Sequence, residues 1–428
     1  MLPECRSVET FSIPKFDLVK EDYEGLIDEL GTFQSHFHDC FSRSETRENF
    51  FQYAVGQLSH LDRKSIEPMA LNVEGGKVRP LQRFISGANW QDDKIGSIFR
   101  SMVNDDIGDE SGVLIFDESG FVKKGEDSAG VSRQYCGSIG KVENSQIGVF
   151  AAYASKLGYT LIDNELYIPE KWFDDEHREK REKCEFPENL GFKTKPQLAA
   201  EMLKKIQSEG ILPFSYVAAD SVYGENPDFI SAIEENTGLI YFVSVGKDTK
   251  FWIRQPIVAK KTSKQKGEAV TKTVLTKGSA KAITANDFAK NLNDYFWYKR
   301  KVSEGTKGPI EYEFTKKRIV LSKKGLPDKN VWLIIKRSME EKPQYSFFIS
   351  NAPVSSRLKL FVWLSGVRWA IEQCFAETKK ELGLDQYEVR KYMGWYHHIL
   401  MTMLSHFFLW HIKIRLGKKN TFAYYSSN

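Results

Sequence analysis

The chain has 428 residues, and at roughly 150 residues per domain that length implies two or three domains with ample capacity for buried cores. Hydrophobic residues at 41%, aromatics at 13% and charged residues at 28% exclude wholesale disorder, a collagen-like repeat and a long coiled coil. Lys plus Arg at 61 against Asp plus Glu at 57 leaves a formal net charge of only +4, so any surface for a polyanion has to be local.

The cysteines, Cys5, Cys40, Cys136, Cys184 and Cys374, are scattered without a CxxC pair of zinc-ligand spacing, which points to a reducing compartment. The opening MLPECRSVET lacks the basic and then apolar run of a secretory signal. The longest apolar stretch, 399–412, is interrupted by Ser405, His406 and His411 and is too short to span a bilayer. A cytoplasmic protein with no membrane role is the expectation.

In chain order, residues 1–105 read as mostly helical. Apolar residues recur at three and four positions from Tyr23 to Phe41 and from Arg47 to Leu61, as half-buried helices require. The apolar run 112–116 suits a strand covered on both faces, with Glu118-Ser119-Gly120 as a turn and Asp117 emerging at the strand's carboxyl end. Strands follow over 146–153 and 159–168, joined by a hairpin turn at 155–158. The charged stretch 174–185 reads as a surface segment and 195–208 as a helix. A second short apolar strand, 216–219, again ends in an acid, Asp220, before a helix over 227–235 and a strand over 239–245.

From about 247 to 350 the chain alternates Val, Ile, Phe, Tyr and Trp with Lys and Thr, the composition of a β-rich segment. Within it Arg254, Lys260, Lys261, Lys264, Lys266, Lys272, Lys277 and Lys281 face the single acid Glu268, a local basic footprint. Lysine-guarded strand edges give the same pattern, and that account stays open. From Val354 the chain turns helical again through Ser405.

Two strand-end aspartates and a glutamate from a late helix can hold two divalent ions, because hard Mg²⁺ takes a few carboxylates plus water and phosphate oxygens. A helix over 355–382 offers Glu372, Glu377 and Glu381. Arg368, Glu372, Phe375 and Lys379 stand at relative positions 0, 4, 7 and 11 and share one helical face, which sets a carboxylate between two cations. Glu377 lies about 140° round the helix and fits an outward pair with Lys380 or Glu381. Glu372 is therefore the third acid, although spacing alone leaves a ladder of surface ion pairs open.

At these residues the sequence resembles the DDE transposases of bacterial insertion sequences, in the branch whose glutamate lies in a Y-x2-R-x3-E-x6-K signature. Here that signature reads Ser365, Arg368, Glu372 and Lys379, with serine in the tyrosine's place. Two further blocks carry the resemblance: Phe116-Asp117-Glu118-Ser119-Gly120-Phe121-Val122-Lys123-Lys124-Gly125 with Ser132-Arg133-Gln134-Tyr135 beyond it, and Ala218-Ala219-Asp220-Ser221-Val222-Tyr223-Gly224. The similarity runs from about residue 45 to 410.

The resemblance implies an α/β fold with a ribonuclease-H-like core, a mixed sheet flanked by helices, carrying a β-rich insertion domain and a helical amino-terminal domain. The expected division is 1–105 for the DNA-binding helical domain, 106–246 for the first part of the core, 247–352 for the insertion, 353–412 for the rest of the core and 413–428 for a tail. It implies cleavage of DNA at element ends and strand transfer into a target, with Asp117, Asp220 and Glu372 as catalytic residues and ligands of two Mg²⁺ or Mn²⁺ ions. The partners implied are double-stranded DNA, as terminal inverted repeats and target, and a second copy of the chain in the DNA complex, on the bacterial nucleoid. Expected DNA contacts are Arg368 and Lys379 beside the glutamate, Lys123, Lys124 and Arg133 beyond the first acid, and Lys260, Lys261, Lys264 and Lys266 in the basic segment. Arg79, Arg83 and Arg100 make the amino-terminal domain a candidate reader of element ends. If a hairpin intermediate forms, Trp252, Trp297, Trp332 and Trp363 are candidates to hold a flipped base. The alternatives are a stand-alone ribonuclease-H-like nuclease and a host-adopted DNA-binding protein that no longer transposes; the presence of all three acids argues against the second.

Overall fold

The computed structural model describes residues 25–235, 238–265, 268–305 and 308–426. Five helices open them: α1 (Leu26–Ser35), α2 (Ser44–Leu58), α3 (Ile66–Asn72), α4 (Val78–Gly87) and α5 (Asp92–Ile107). In α4 the 3.6-residue period is sharp, burying Leu81, Phe84 and Ile85 and exposing Arg79, Gln82 and Arg83. The turn between α3 and α4 needs its glycines. Gly75 has φ +72°, and a Cβ on Gly76 would lie 2.5 Å from the carbonyl oxygen of Ala70.

Next come β1 (Val113–Val122), β2 (Ser132–Cys136), β3 (Lys141–Ser155), β4 (Gly158–Tyr167), α6 (Arg178–Lys183) and α7 (Lys195–Glu209). Thr194 and Gln197 form a capping box at the start of α7, and Gly210 at φ 61° ends it. β3 pairs antiparallel with both β1 and β4, setting Phe150 opposite Asp117 on one side and Asn164 on the other. The turn expected at 118–120 does not form. Those residues pair with Gly148 to Val149 and on to Ile147, and β1 runs to Val122, so Asp117 sits in mid-strand rather than at its end. The small residue at 120 permits this, since a Cβ there would lie 2.3 Å from Cys136 Sγ.

The middle of the chain forms β5 (Tyr216–Ala219), α8 (Ser221–Gly224), α9 (Pro227–Glu234), β6 (Ile240–Val245), β7 (Lys250–Trp252), β8 (Val258–Gln265), β9 (Glu268–Leu275), β10 (Ile283–Thr284), α10 (Ala285–Lys290), β11 (Tyr298–Gly305), β12 (Gly308–Lys323), β13 (Leu326–Arg337), β14 (Tyr345–Ser350) and α11 (Leu358–Val367). The helix expected over 355–382 breaks at Arg368, and α12 (Trp369–Leu382) and α13 (Tyr392–Ser426) complete the chain.

The protein comprises two compact units. The mid-chain unit, Tyr216–Arg368, has strands in the order β10-β7-β12-β13-β14-β6-β5, with β11 also on β12; β5 and β6 are parallel and the other pairs antiparallel. Among the described residues β8 and β9 pair only with each other. Its core includes Phe242 stacked on Phe348 at 4.6 Å. The flanking unit joins the described residues up to Ser215 with those from Trp369 onward. There α13 threads a core of Phe41, Phe50, Phe84 and Trp90, and His397 stacks on Trp90 at 3.9 Å and 3°. Polar pairings in that core include Tyr53 Oη with His398 Nδ1 at 2.8 Å, and Gln57 with Thr402 at 2.8 Å and Ser405 at 2.9 Å.

Candidate active site and nucleic-acid interface

Asp117 follows four fully buried residues of β1 and is itself half-buried, its Oδ1 accepting the backbone N–H of Glu118 at 2.8 Å. The neighbouring Glu118 accepts a hydrogen bond from Lys195 Nζ at 2.7 Å, a partly buried pair that ties α7 to β1. In the same unit, Glu372 is exposed near the start of α12. One turn further on, Phe375 packs on Phe150 at 5.2 Å, and Lys379 Nζ donates to the carbonyl oxygen of Gly120 at 3.2 Å. This face of α12 thus lies on β1 and β3.

Glu377 does not face outward as expected. Its carboxylate accepts hydrogen bonds from Tyr159 Oη at 2.7 Å, His406 Nε2 at 2.8 Å and Gln373 Nε2 at 2.9 Å. Burial alone would raise its pKa, but those donors, His406 foremost, hold it below the ordinary carboxylate range. Lys380 pairs with Glu381 instead, at 3.0 Å. Asp220 lies in the mid-chain unit at the carboxyl end of β5, where it caps α8 by accepting the N–H of Val222 at 2.9 Å.

Among the described residues no group of three or more His, Cys, Asp or Glu side chains is placed to hold a metal ion. Asp117, Asp220 and Glu372 each carry a carboxylate, the donor type that hard divalent cations take. The histidines have other duties: His397 Nδ1 contacts the carbonyl of Ile85 at 2.8 Å, and His411 Nδ1 contacts Asp106 at 2.6 Å.

Among the expected DNA contacts, Lys124 and Arg133 are exposed. Lys123 turns inward, with Nζ 3.0 Å from the carbonyl oxygen of Tyr387 and 3.2 Å above that ring. Arg368 closes α11, and Ser365 is buried in that helix without a hydrogen-bond partner for its hydroxyl among the described residues. Lys260 and Lys261 are exposed on β8, whereas the Lys264 side chain and Lys266 lie outside the described residues. Arg100 is no reader of DNA. It is 2% exposed and binds Glu209 through two hydrogen bonds of 2.5 and 2.6 Å.

The four tryptophans named for base flipping are all buried, Trp332 with its indole N–H on the carbonyl of Pro353 and Trp252 with its own on that of Ala280. Sequence reasoning passed over Tyr295, Phe296 and Tyr298, which are 80%, 49% and 46% exposed beside Lys299 and Arg300. The signal was the aromatic run 295–298 directly before three cations.

Residues 36–309 match the family described as DDE superfamily endonuclease, and the chain belongs to that family. The matched segment holds Asp117 and Asp220 and ends before Glu372. The chain is 26% identical over 360 residues, 83% of its own length and 80% of the relative's, to the probable transposase for insertion sequence element IS701 of Microchaete diplosiphon. Among solved structures it is similar to a piggyBac transposase synaptic complex with hairpin DNA, at 9% identity and a TM-score of 0.41, covering 91% of this chain and 72% of that one. It is also similar to the NurA nuclease of Sulfolobus solfataricus, at 8% identity and a TM-score of 0.30, covering 69% of this chain and 86% of that one. No helix among the described residues is long and apolar enough to cross a membrane.

Proposed function

We propose that the protein is the DDE transposase of an insertion sequence, of the branch with the R-x3-E-x6-K run at Arg368, Glu372 and Lys379. It cleaves DNA strands at the element's ends and joins them to target DNA. The observation that carries this reading is membership of the DDE endonuclease family together with the order of the acid-bearing elements: β1 with Asp117, β5 with Asp220 and α12 with Glu372. Three antiparallel strands, helix α7 and the parallel pair β5 and β6 support a ribonuclease-H-like core. Residues 1–105 are then the end-binding domain and 247–352 an insertion into the core.

Asp117, Asp220 and Glu372 are the groups that would hold Mg²⁺ or Mn²⁺, two ions per site, and a bound ion supplies Lewis-acid polarisation of the scissile phosphodiester. Lys124 and Arg133 contact the DNA backbone beyond the first acid. Lys123 and Lys379, whose ammonium groups are engaged by the carbonyls of Tyr387 and Gly120, position the loop that bears Lys124 and the helix that bears Glu372. The protein acts on double-stranded DNA as a homodimer, on the nucleoid.

The test is cleavage of labelled element ends. Asp117→Asn, Asp220→Asn and Glu372→Gln should each abolish cleavage while leaving end binding largely intact. Mg²⁺ and Mn²⁺ should support cutting, and Ca²⁺ binding alone. An active Glu372→Gln, or nicking in excess chelator, refutes the site. Cutting of structured DNA without preference for the ends turns the reading into a stand-alone nuclease.

A further inference from the structure

Within the flanking unit α3, the turn at 73–77 and α4 form a helix-turn-helix, with α2 and α13 packed against it. We infer that α4 is the DNA-reading helix of this protein, and that Arg79, Gln82 and Arg83 contact base edges in the major groove of the element end. This rests on the transposase reading and names the surface by which the ends are told from other DNA.

The inner face of α4 is fixed. Leu81 and Ile85 are fully buried and Phe84 is 2% exposed, while the carbonyls of Phe84 and Ile85 meet Trp90 Nε1 at 3.2 Å and His397 Nδ1 at 2.8 Å. The outer face is the reverse. Gln82 and Arg83 stand one turn on from Arg79 along an exposed strip, and among the described residues no side-chain hydrogen bond or ion pair engages the three. Other arginines of the protein are tied down: Arg47 binds the carbonyl of Phe41, Arg63 binds Glu388, Arg100 binds Glu209, and Arg337 binds Glu313 and Asp294.

The chemistry of the strip selects its partner. Arginine presents a planar fork that fits guanine O6 and N7, and glutamine can pair with adenine N6 and N7. A ten-residue helix about 15 Å long fits a major groove about 12 Å wide. Beside the strip, a polar groove of about 740 Å³ runs between the start of α2 and the end of α4. Arg43, Thr46, Asn49, Arg83 and Asn89 line it and supply donors for the flanking phosphates, alongside the single acid Glu45. Arg43 too has no side-chain partner among the described residues. The lysines of β8 and β9 are point charges without that fork, suited to holding DNA of any sequence.

The experiment is competition binding of the full-length protein to an element-end duplex and to a scrambled duplex at one salt concentration. Arg79→Ala, Gln82→Ala and Arg83→Ala should each cut the preference for the end by about 5- to 150-fold, with much smaller changes on scrambled DNA. Arg83→Lys keeps the charge and loses the fork, so it should retain scrambled binding and still lose preference. Selection from ends randomised base by base should show each variant relaxed at one or two positions. Unchanged preference overturns the assignment, and equal weakening on both duplexes reduces α4 to a phosphate contact. If the unaltered protein itself shows no preference for its ends, the transposase reading falls rather than the choice of helix. The substituted side chains are exposed, and an unchanged melting midpoint confirms that the variants fold.

Discussion

Six residues past Asp117, Lys123 shows what burial does to a charge. Burial pulls its pKa down to about 7, against the attraction of Asp385 and Glu388. Between that value and the ordinary 10.5 the unfolded chain binds more protons than the folded one, so stability should rise with pH over that interval and be flat below it. Lys123→Met should abolish the rise. Denaturation midpoints at pH 6.5 and 9 check this, and an equal rise in both proteins would refute it. Glu377 has the opposite sign. Its pKa is held below the ordinary 4.5, so its stabilisation is present above that value and is lost as acid takes the pH through the folded one. Glu377→Gln should cost about 1–3 kcal/mol at neutral pH, because Tyr159 and His406 lose a charged acceptor, and the deficit should shrink below pH 4. Urea titrations at pH 7 and 3.5 measure both arms.

Among the elements, the ribbon β8–β9 has its stability problem in plain view. Isolated two-stranded hairpins are marginal, and Lys261 stands directly opposite Lys272. The hydroxyls of Thr262 and Thr271 meet across the strands at 3.0 Å, a small offset. A phosphate backbone would relieve the repulsion. Replacing Lys260, Lys261, Lys264 and Lys266 with Gln should flatten the slope of log affinity against log salt by about 2 to 4 units, on end and scrambled DNA alike. An unchanged slope would make them solvated strand edges. Such elements were legible because alternation and basic runs are local signals. The hairpin of β3 and β4, helix α7 and the placement of Asp220 after β5 could be read directly. The length of β1 could not, because Glu118-Ser119-Gly120 reads locally as a turn and only its pairing with β3 keeps it extended. Helix phase likewise separated Glu372 from Glu377, but not what covers Glu377, since Tyr159 lies 218 positions away. Arg100 looked like a DNA ligand for the same reason: Glu209 is 109 positions off.

At the scale of the molecule, each unit has its own core and its own reporters. Trp252, Trp297, Trp332 and Trp363 belong to the mid-chain unit, and Trp90, Trp172, Trp369, Trp395 and Trp410 to the flanking one. Unfolding should therefore depart from two-state behaviour, with tryptophan fluorescence and far-ultraviolet circular dichroism giving different midpoints. Coincident curves would show that the units melt as one.

The discontinuous flanking unit also bears on synthesis. Tyr53 meets His398 across 345 positions of sequence, so the amino-terminal helices leave the ribosome long before the helix that completes their core has been translated. Asp220 and Glu372 are 372 − 220 = 152 positions apart, which at roughly 5–20 residues per second is about 8–30 s of elongation. Throughout that interval the nascent chain carries two of the three acids proposed for the site. If Glu372 is the third acid of the proposed site, a message truncated before codon 372 should yield a polypeptide that does not cleave element ends, so cleavage would wait for the last acid to be translated.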